Sequence, residues 1–426
     1  MTQQVVLSAL EERFLTFAYP GDVLNVRVIS DKKDYCRGAI DEIVSSKVKR
    51  IKDVCPSFTQ CGGCNWLDID YSLQKELKTS IVKEIFYGHE ELVSDMVGSP
   101  EQFAYRNKVY FPVAQVAGKI NYGLFKASSH SVISAKDCVL VPEVFKDIAQ
   151  SICDYLVAAK ETVYNERTRK GNIRHIGVRV NKSGDLVVTL VCKKRKLAFT
   201  NMLVKTLREN FPKIVGIIQN INKSDSNKIV GDEEKILFGE DFFYDEIGTK
   251  KYKINYRSFF QVNRAMTEVI YNEMSQDLSQ GSRLFDAYSG VGSIGIFLAE
   301  QTKSVLCVEN NRFAVKDARI NAELNKCENM EFLCSDVEAI FGDVLNKYKL
   351  DTIIFDPPRK GLDDSIRGLV IGSRIKKILY LSCNPTTQVR DVKDFIKSGF
   401  EIKKIIPYDM FPNTYHIENY IVLERK

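Results

Sequence analysis

The 426-residue chain reads as an α/β protein with three parts. These are a C-terminal doubly wound, Rossmann-like domain over 255–426, a mixed α/β central domain over 55–254, and a small N-terminal β-barrel over 1–54. Three observations predict this. From about residue 255, Val/Ile/Leu-rich runs alternate regularly with helical stretches, the pattern of a parallel sheet covered on both faces. A glycine-rich turn follows the first of those runs. The N-terminal stretch instead alternates apolar and polar residues in short pieces, as small strands do.

In the N-terminal part, DVLNVRVI and AIDEIV are the clearest alternating runs. A cysteine-rich stretch follows, then a helix through YSLQKELKTSIVKEIFYG, where Leu73, Leu77, Ile81 and Ile85 recur every four residues. The central part mixes strands (KVYFPVAQ, IGVRVNKSGDLVVTLVC, KIVGIIQNIN) with helices near 143–158 and 198–210, and Gly184-Asp185 marks a hairpin. A helix near 262–277 opens the C-terminal part. Strands RLFDAY, SVLCVEN, MEFLCSD, DTIIFD and KKILYLS then alternate with helices, and EIKKIIPYDMF and ENYIVLER read as a closing antiparallel pair.

Composition narrows the function classes. No apolar run nears the roughly 20 residues needed to span a bilayer, and the N-terminus lacks the features of a secretory signal. We therefore expect a cytoplasmic protein with no membrane partner, monomeric by default. Lys and Arg outnumber Asp and Glu only 61 to 55, so the charge of +6 permits a polyanionic partner without demanding one. Clustering at Lys47–Lys52, Arg167–Lys170 and Lys193–Lys196 makes an RNA-facing surface plausible. Tyr105, Tyr110 and Phe125, among Arg106, Lys108 and Lys126, are candidates for stacking on nucleotides. Ordinary core packing explains these aromatics equally well.

The turn Ser289-Gly290-Val291-Gly292-Ser293-Ile294-Gly295 fits G-x-G-x-x-G between strand and helix, where glycines allow a tight turn and the helix offers free N–H groups. Glu309 ends the next strand, where a carboxylate reaches both ribose hydroxyls, though it also suits a helix cap. Asp286, beside the turn, suits an ammonium group and would repel a pyrophosphate, which favours S-adenosyl-L-methionine over a dinucleotide. Asp336 suits either the adenine edge or a helix N-cap. Asp356, in Asp356-Pro357-Pro358-Arg359, is directed over the sheet's carboxyl edge because prolines cannot continue a central strand. Cys383, in Ser382-Cys383-Asn384-Pro385, falls on the same rim. A thiolate there can add to carbon 6 of a pyrimidine, making carbon 5 nucleophilic. That scheme needs a base; Glu418 is chosen, with His416 as an orienting neighbour.

DAYSGVGSIG, Asp356-Pro-Pro-Arg-Lys-Gly, Ser-Cys383-Asn-Pro and His-Ile-Glu418 together resemble the RNA uracil-5-methyltransferases that act on 23S ribosomal RNA and tRNA. The resemblance spans nearly the whole chain. It implies a methyltransferase domain, Cys383 as nucleophile, Glu418 as base, and cofactor contacts from Gln261, Tyr288, Glu309 and Asp356. Cys55, Cys61 and Cys64 leave a fourth ligand to find, for which Cys138 is the best candidate; zinc or an iron–sulfur cluster would fit the residues alone. The family's ribosomal RNA branch carries a [4Fe–4S] cluster at this spacing, so resemblance implies the cluster, a TRAM-like barrel before Cys55, and 23S rRNA as substrate, with tRNA the alternative. A cytosine-5-methyltransferase is less favoured, since Cys383 alone stands at the rim where such enzymes use two cysteines. A non-catalytic RNA-binding iron–sulfur protein would not need Cys383 and Glu418 both intact.

Overall fold

A computed structural model describes residues 2–6, 13–14, 17–31, 36–116, 118–127 and 129–426. The parallel-sheet pattern of the last third is realised as a seven-stranded sheet. Its strands are β1 (Ser282–Ala287), β2 (Thr302–Glu309), β3 (Met330–Cys334), β4 (Thr352–Phe355), β5 (Lys377–Ser382), β6 (Phe400–Tyr408) and β7 (Glu418–Arg425), in the order β3-β2-β1-β4-β5-β7-β6. The first five run parallel, and β7 is antiparallel to both neighbours. Order reverses between β1 and β4, and ligands bind at the carboxyl edge of such a switch point. Helices α1 (Arg264–Asp277), α2 (Ser293–Leu298), α3 (Arg312–Leu324), α4 (Val337–Lys347), α5 (Asp364–Ile371) and α6 (Pro385–Lys397) cover the two faces.

The central sheet is also seven-stranded, built from Lys108–Val116, Lys119–Phe125, Val132–Ser134, Ile173–Val180, Leu186–Cys192, Ile214–Ile221 and Glu233–Gly239. The expected helices form at Glu143–Ala158 and Thr200–Asn210, and Asn181 and Asp185 close the expected hairpin. The hairpin of Phe242–Ile247 and Lys250–Asn255 packs against the C-terminal core: the Asn321 side chain of α3 accepts from the Lys253 amide at 2.6 Å. N-terminal strands Thr2–Val6, Val23–Asp31, Cys36–Ser45 and Arg13–Phe14 form a four-stranded sheet in that spatial order. The barrel expected over 1–54 runs through residues 7–12, 15–16 and 32–35, which lie outside those described.

The helix anticipated after the cysteines spans Tyr71–Ile85, capped by Asp70, whose carboxylate accepts from the Ser72 amide. Its depth profile differs from the leucine stripe. Leu73, Leu77, Ile81 and Ile85 are half-buried, whereas Gln74, Lys78 and Val82 are fully buried. The helix lies in a seam: Val82 packs into the apolar core, whereas Gln74 and Lys78 meet polar groups of the loop after β6. Lys78 Nζ pairs with Asp409 at 2.7 Å, both side chains wholly enclosed. Val93 and Val97 then bridge to Ile405 and Tyr408, extending the sheet beyond β6. Residues 71–97 are thus packed as part of the C-terminal core.

Removing one partner of an enclosed ion pair leaves a bare charge. Lys78→Met is expected to lower stability by about 3–5 kcal/mol, and Lys78→Met/Asp409→Leu to recover most of that loss in denaturant unfolding. A double variant no more stable than the single one contradicts this account of the seam.

Candidate active site

The carboxyl ends of β1 to β5 and the start of β7 converge on one cavity of about 700 Å³. Gln261, Tyr288, Gly290, Glu309, Asp336, Asp356, Cys383 and Glu418 all line it. A larger concavity, about 1020 Å³, lies on the central sheet and contains none of these groups.

Each placement has a local cause. The turn after β1 passes through positive φ at Tyr288 (66°), Gly290 (55°) and Gly292 (76°), a left-handed path that glycine tolerates and tyrosine does not favour. This path turns the chain from β1 into α2. A Cβ added to Gly290 would meet nothing within 4 Å, so that backbone faces open space. Glu309 stands across the turn and accepts from the Gly290 amide at 3.1 Å and the Asn311 amide at 2.8 Å. The N-cap of α3 is Asn311. Asp336 is the N-cap residue of α4 but makes no capping bond; its carboxylate accepts from Asn310 at 2.9 Å.

Asp286 and Gly292 lie behind the wall. The Asp286 carboxylate is enclosed beneath the turn, with one oxygen accepting from the Gly295 amide at 3.0 Å and the other unpartnered. Ser289 Oγ is also buried without a partner. These unmet polar atoms beside an open glycine turn fit a site that is completed by a polar ligand.

Strand register brings Cys383 and Glu418 to one rim. Ser382 is the last residue of β5 and pairs with Asn419 across the antiparallel β5–β7 ladder, so Cys383 and Glu418, the next residue on each side, stand at the end of that ladder and line the same cavity. Asp356, at the tip of neighbouring β4, completes the group. The loops after β4 and β5 are tied together: Asn384 Nδ2 and Thr387 Oγ1 both donate to the Arg359 carbonyl, at 3.0 and 3.2 Å.

Electrostatics follow from crowding acids in a dry floor. Burial raises Asp356 to about 7 and holds Glu418 well above the carboxylate range, with Asp356 adding to the rise and Arg359 opposing it. Asp286 is raised to about 7, first by burial and then by Asp356 and Glu309, against the Gly295 amide. The Cys383 thiol is pushed up by burial, then by Glu418 and Asp356; Arg359 favours the thiolate. His416 sits beside Arg359, its Nδ1 3.4 Å from the guanidinium, and burial followed by Arg359 lowers it to about 4. It is therefore neutral at physiological pH.

Sequence reasoning assigned no role to Arg359, Phe259, Glu338 or Phe411, which also line the cavity. Arg359 had a signal, a cation directly after two prolines at a strand tip; Phe411 had none. Tyr105 corrects an expectation. It is buried and its hydroxyl donates to the Pro412 carbonyl at 3.3 Å, so it does not present a face to RNA. Two basic-cluster residues are likewise engaged within the chain and largely covered: Arg50 with Asp22 and Asp68, and Lys193 with Asp225, whereas Arg195 pairs with Glu233 but stays exposed.

The cysteine loop lies along 125–138. Gly62 N–H donates to the Phe125 carbonyl and Ser57 Oγ to the Ser134 carbonyl, each at 3.1 Å. Cys64 is raised to about 12, first by burial and then by Cys138 and Cys61; Cys138 itself is raised by burial and by Cys55. The thiols are thus near enough to influence one another. Among the described residues, no three His, Cys, Asp or Glu side chains converge tightly enough to hold a single metal ion.

Comparison with known proteins agrees with this geometry. A protein of Clostridium tetani called an uncharacterized RNA methyltransferase is 34% identical over 417 residues, covering 96% of this chain and 91% of that one. One from Halalkalibacterium halodurans with a like name is 33% identical, covering 97% and 92%. The crystal structure of Pyrococcus abyssi tRNA (uracil-54, C5)-methyltransferase in complex with S-adenosyl-L-homocysteine is 27% identical, with a TM-score of 0.81 over 99% of this chain and 100% of that one. Residues 70–426 match the family described as tRNA (uracil-5-)-methyltransferase, and with the whole-chain likeness to RNA methyltransferases this establishes that the protein belongs to that family.

Proposed function

We propose that this protein methylates carbon 5 of a uridine in 23S ribosomal RNA, with Cys383 as nucleophile and Glu418 as base. The observation that carries the reading is the convergence of a half-buried thiol and an enclosed carboxylate, close enough for Glu418 to act on Cys383, in a cavity that continues to the glycine turn and Glu309. A second reading, a tRNA uridine as substrate, is favoured by the structural likeness to a tRNA (uracil-54, C5)-methyltransferase.

S-adenosyl-L-methionine would be held by Gln261, Tyr288, Gly290, Glu309, Asp336 and Asp356, which line the cavity, with Asp286 and Gly292 supporting the turn from beneath, and it would supply a methyl group on a positively charged sulfur. Cys383, half-buried and reached by solvent, gives its proton to water, a loss favoured by the Arg359 charge, and its sulfur bonds to carbon 6 of the flipped uracil. The carbon 5–carbon 6 π electrons move toward the carbonyl, and carbon 5 of the resulting enolate would take the methyl as the sulfur–methyl bond breaks, its electron pair staying on the donor sulfur, which leaves as a neutral thioether. Glu418, ionised at that stage, takes the proton left on carbon 5. The electrons of that C–H bond restore the double bond and expel the Cys383 thiolate. A high proton affinity suits Glu418 to this step, because a carboxylate that holds protons weakly would be a poorer acceptor.

Cys55, Cys61, Cys64 and Cys138 are the residues that would hold a [4Fe–4S] cluster. Cys61, Cys64 and Cys138 each carry a shift to which neighbouring thiols of this set contribute, Cys55 among them, so the four lie in one neighbourhood and offer the all-thiolate donor set of such a group. Such a group would tie the cysteine loop to the central sheet. The sheet before it is read as a TRAM-like RNA-binding unit.

Incubation with 5-fluorouridine RNA tests the chemistry, since fluorine cannot leave carbon 5 as a proton does. Wild type should form a denaturation-resistant protein–RNA adduct and Cys383→Ala none; an undiminished adduct in Cys383→Ala overturns the assignment. Mass spectrometry of RNA from cells lacking the gene distinguishes rRNA from tRNA. Protein purified without oxygen should carry about four irons per chain, lost in Cys64→Ser; iron-free wild type overturns the cluster. The raised acids predict a pH signature as well. A carboxyl raised in the folded state stabilises fully below its unfolded pKa, and that stability is lost as pH climbs through the folded value of about 7. Asp356→Asn should therefore gain thermal stability over wild type progressively from pH 4 to 8, by up to a few kcal/mol; a constant difference across that range contradicts the assignment.

A further inference from the structure

The segment that delivers Glu418 to the cavity, residues 409–417 between β6 and β7, is held carbonyl by carbonyl from distant parts of the chain. Asn263 Nδ2 donates to the Met410 carbonyl at 3.2 Å. Lys78 Nζ reaches the Phe411 carbonyl at 3.4 Å, and Tyr105 takes that of Pro412. The amides of Asn65 and Trp66, directly after Cys64, donate to the Asn413 carbonyl at 3.0 and 3.1 Å.

Asn413 is the centre of this arrangement. It is fully buried and adopts φ 66°, a left-handed conformation that asparagine tolerates better than most side chains. Its amide donates to Gln74 Oε1 at 2.9 Å. Its side-chain oxygen accepts from Gln74 at 3.2 Å and Gln102 at 2.9 Å, and its side-chain nitrogen donates to the Gln102 carbonyl at 2.9 Å. Gln74 is itself enclosed and donates onward to the Trp66 carbonyl at 2.9 Å. Every polar atom of Asn413 is therefore satisfied by residues more than 300 positions earlier. A polar network this complete fixes one conformation, since any shift strands several buried groups at once.

We infer that Asn413 is a positioning residue for the proton-removal step, orienting the 411–417 segment so that Glu418 stays at the same rim as Cys383, with Gln74 and Gln102 as its remote anchors. The inference rests on the reading of Glu418 as base. A displacement of about 1 Å at a reacting group can cost roughly 100-fold in rate. Asn413 touches neither the thiol nor the cavity wall, so its loss acts late, after the uracil has been captured and methylated.

The test follows RNA substrate through single turnovers. Asn413→Ala should lower kcat roughly 10- to 100-fold while the KM for RNA and the Kd for S-adenosyl-L-methionine stay near wild type. Methylated RNA should accumulate covalently on Cys383, as it should in Glu418→Gln. Gln102→Leu should show the same pattern more weakly although it lies far from the chemistry. If Asn413→Ala fails to fold, Asn413→Gly replaces it, keeping the backbone path and its three backbone bonds while deleting the side-chain ones. Wild-type kcat with no accumulated adduct in the Asn413 and Gln102 variants, alongside accumulation in Glu418→Gln, overturns the inference and leaves the base in place. Absence of accumulation together with undiminished turnover in Glu418→Gln overturns the base assignment, and the inference with it.

Discussion

The site is governed by the cost of gathering negative charge where water is scarce. Asp286, Asp356 and Glu418 share a small volume at the strand tips, and each is driven toward its protonated form. Cys383 feels the same field, so its thiol holds its proton more firmly than an exposed one would. Arg359 is the resident charge that opposes this, acting on both Glu418 and Cys383. A cavity in this electrostatic state favours a cationic ligand, because each positive charge brought in relieves several acids at once. The methyl donor proposed above carries such a charge. Protonation of the thiol, readiness of the base and occupancy of the pocket are thereby linked through one field.

That field is useful only if the acids stay where they are, and here the chain's first hundred residues matter. The helix at Tyr71–Ile85 turns a lysine and a glutamine inward, and both meet the segment that introduces Glu418. An isolated C-terminal domain would lack the donors for the carbonyls of Pro412 and Asn413 and would expose the bridge positions along β6. Unpaired groups of this kind are costly when buried. The catalytic floor is thus completed by distant sequence, which explains why the segment 71–97 packs with the C-terminal core although it lies on the far side of the central sheet in chain order.

The sequence was most legible where chemistry and backbone geometry share a short motif. Gly290, Glu309, Asp356 and Cys383 each follow a strand rich in branched apolar residues, and strand tips in such sheets converge. Their grouping could be anticipated because the parallel pattern fixes which end of each strand carries them. Glu418 was found because it opens the final strand, and the antiparallel ladder ending at Ser382 and Asn419 then brings it to the same cavity as Cys383. Arg359 was visible as a residue but not as a partner, since its influence on the thiol depends on the fold of two loops. The leucine stripe at 73–85 correctly announced a helix yet misjudged its deepest face: periodicity reports hydrophobicity, and the seam there is polar.

By itself the sequence determined the order of strands and helices, the glycine turn, and which thiol and carboxylates stand at the sheet's carboxyl edge. These depend on local propensity, on periodicity and on the chemistry of single residues. Only the tertiary structure decided that Asp286 lies beneath the turn, that Tyr105 faces inward, and that Asn413 is gripped by Gln74, Gln102, Asn65 and Trp66. The physical reason is that a buried polar side chain is defined by its partner, and a partner 339 residues away leaves no periodic trace along the chain.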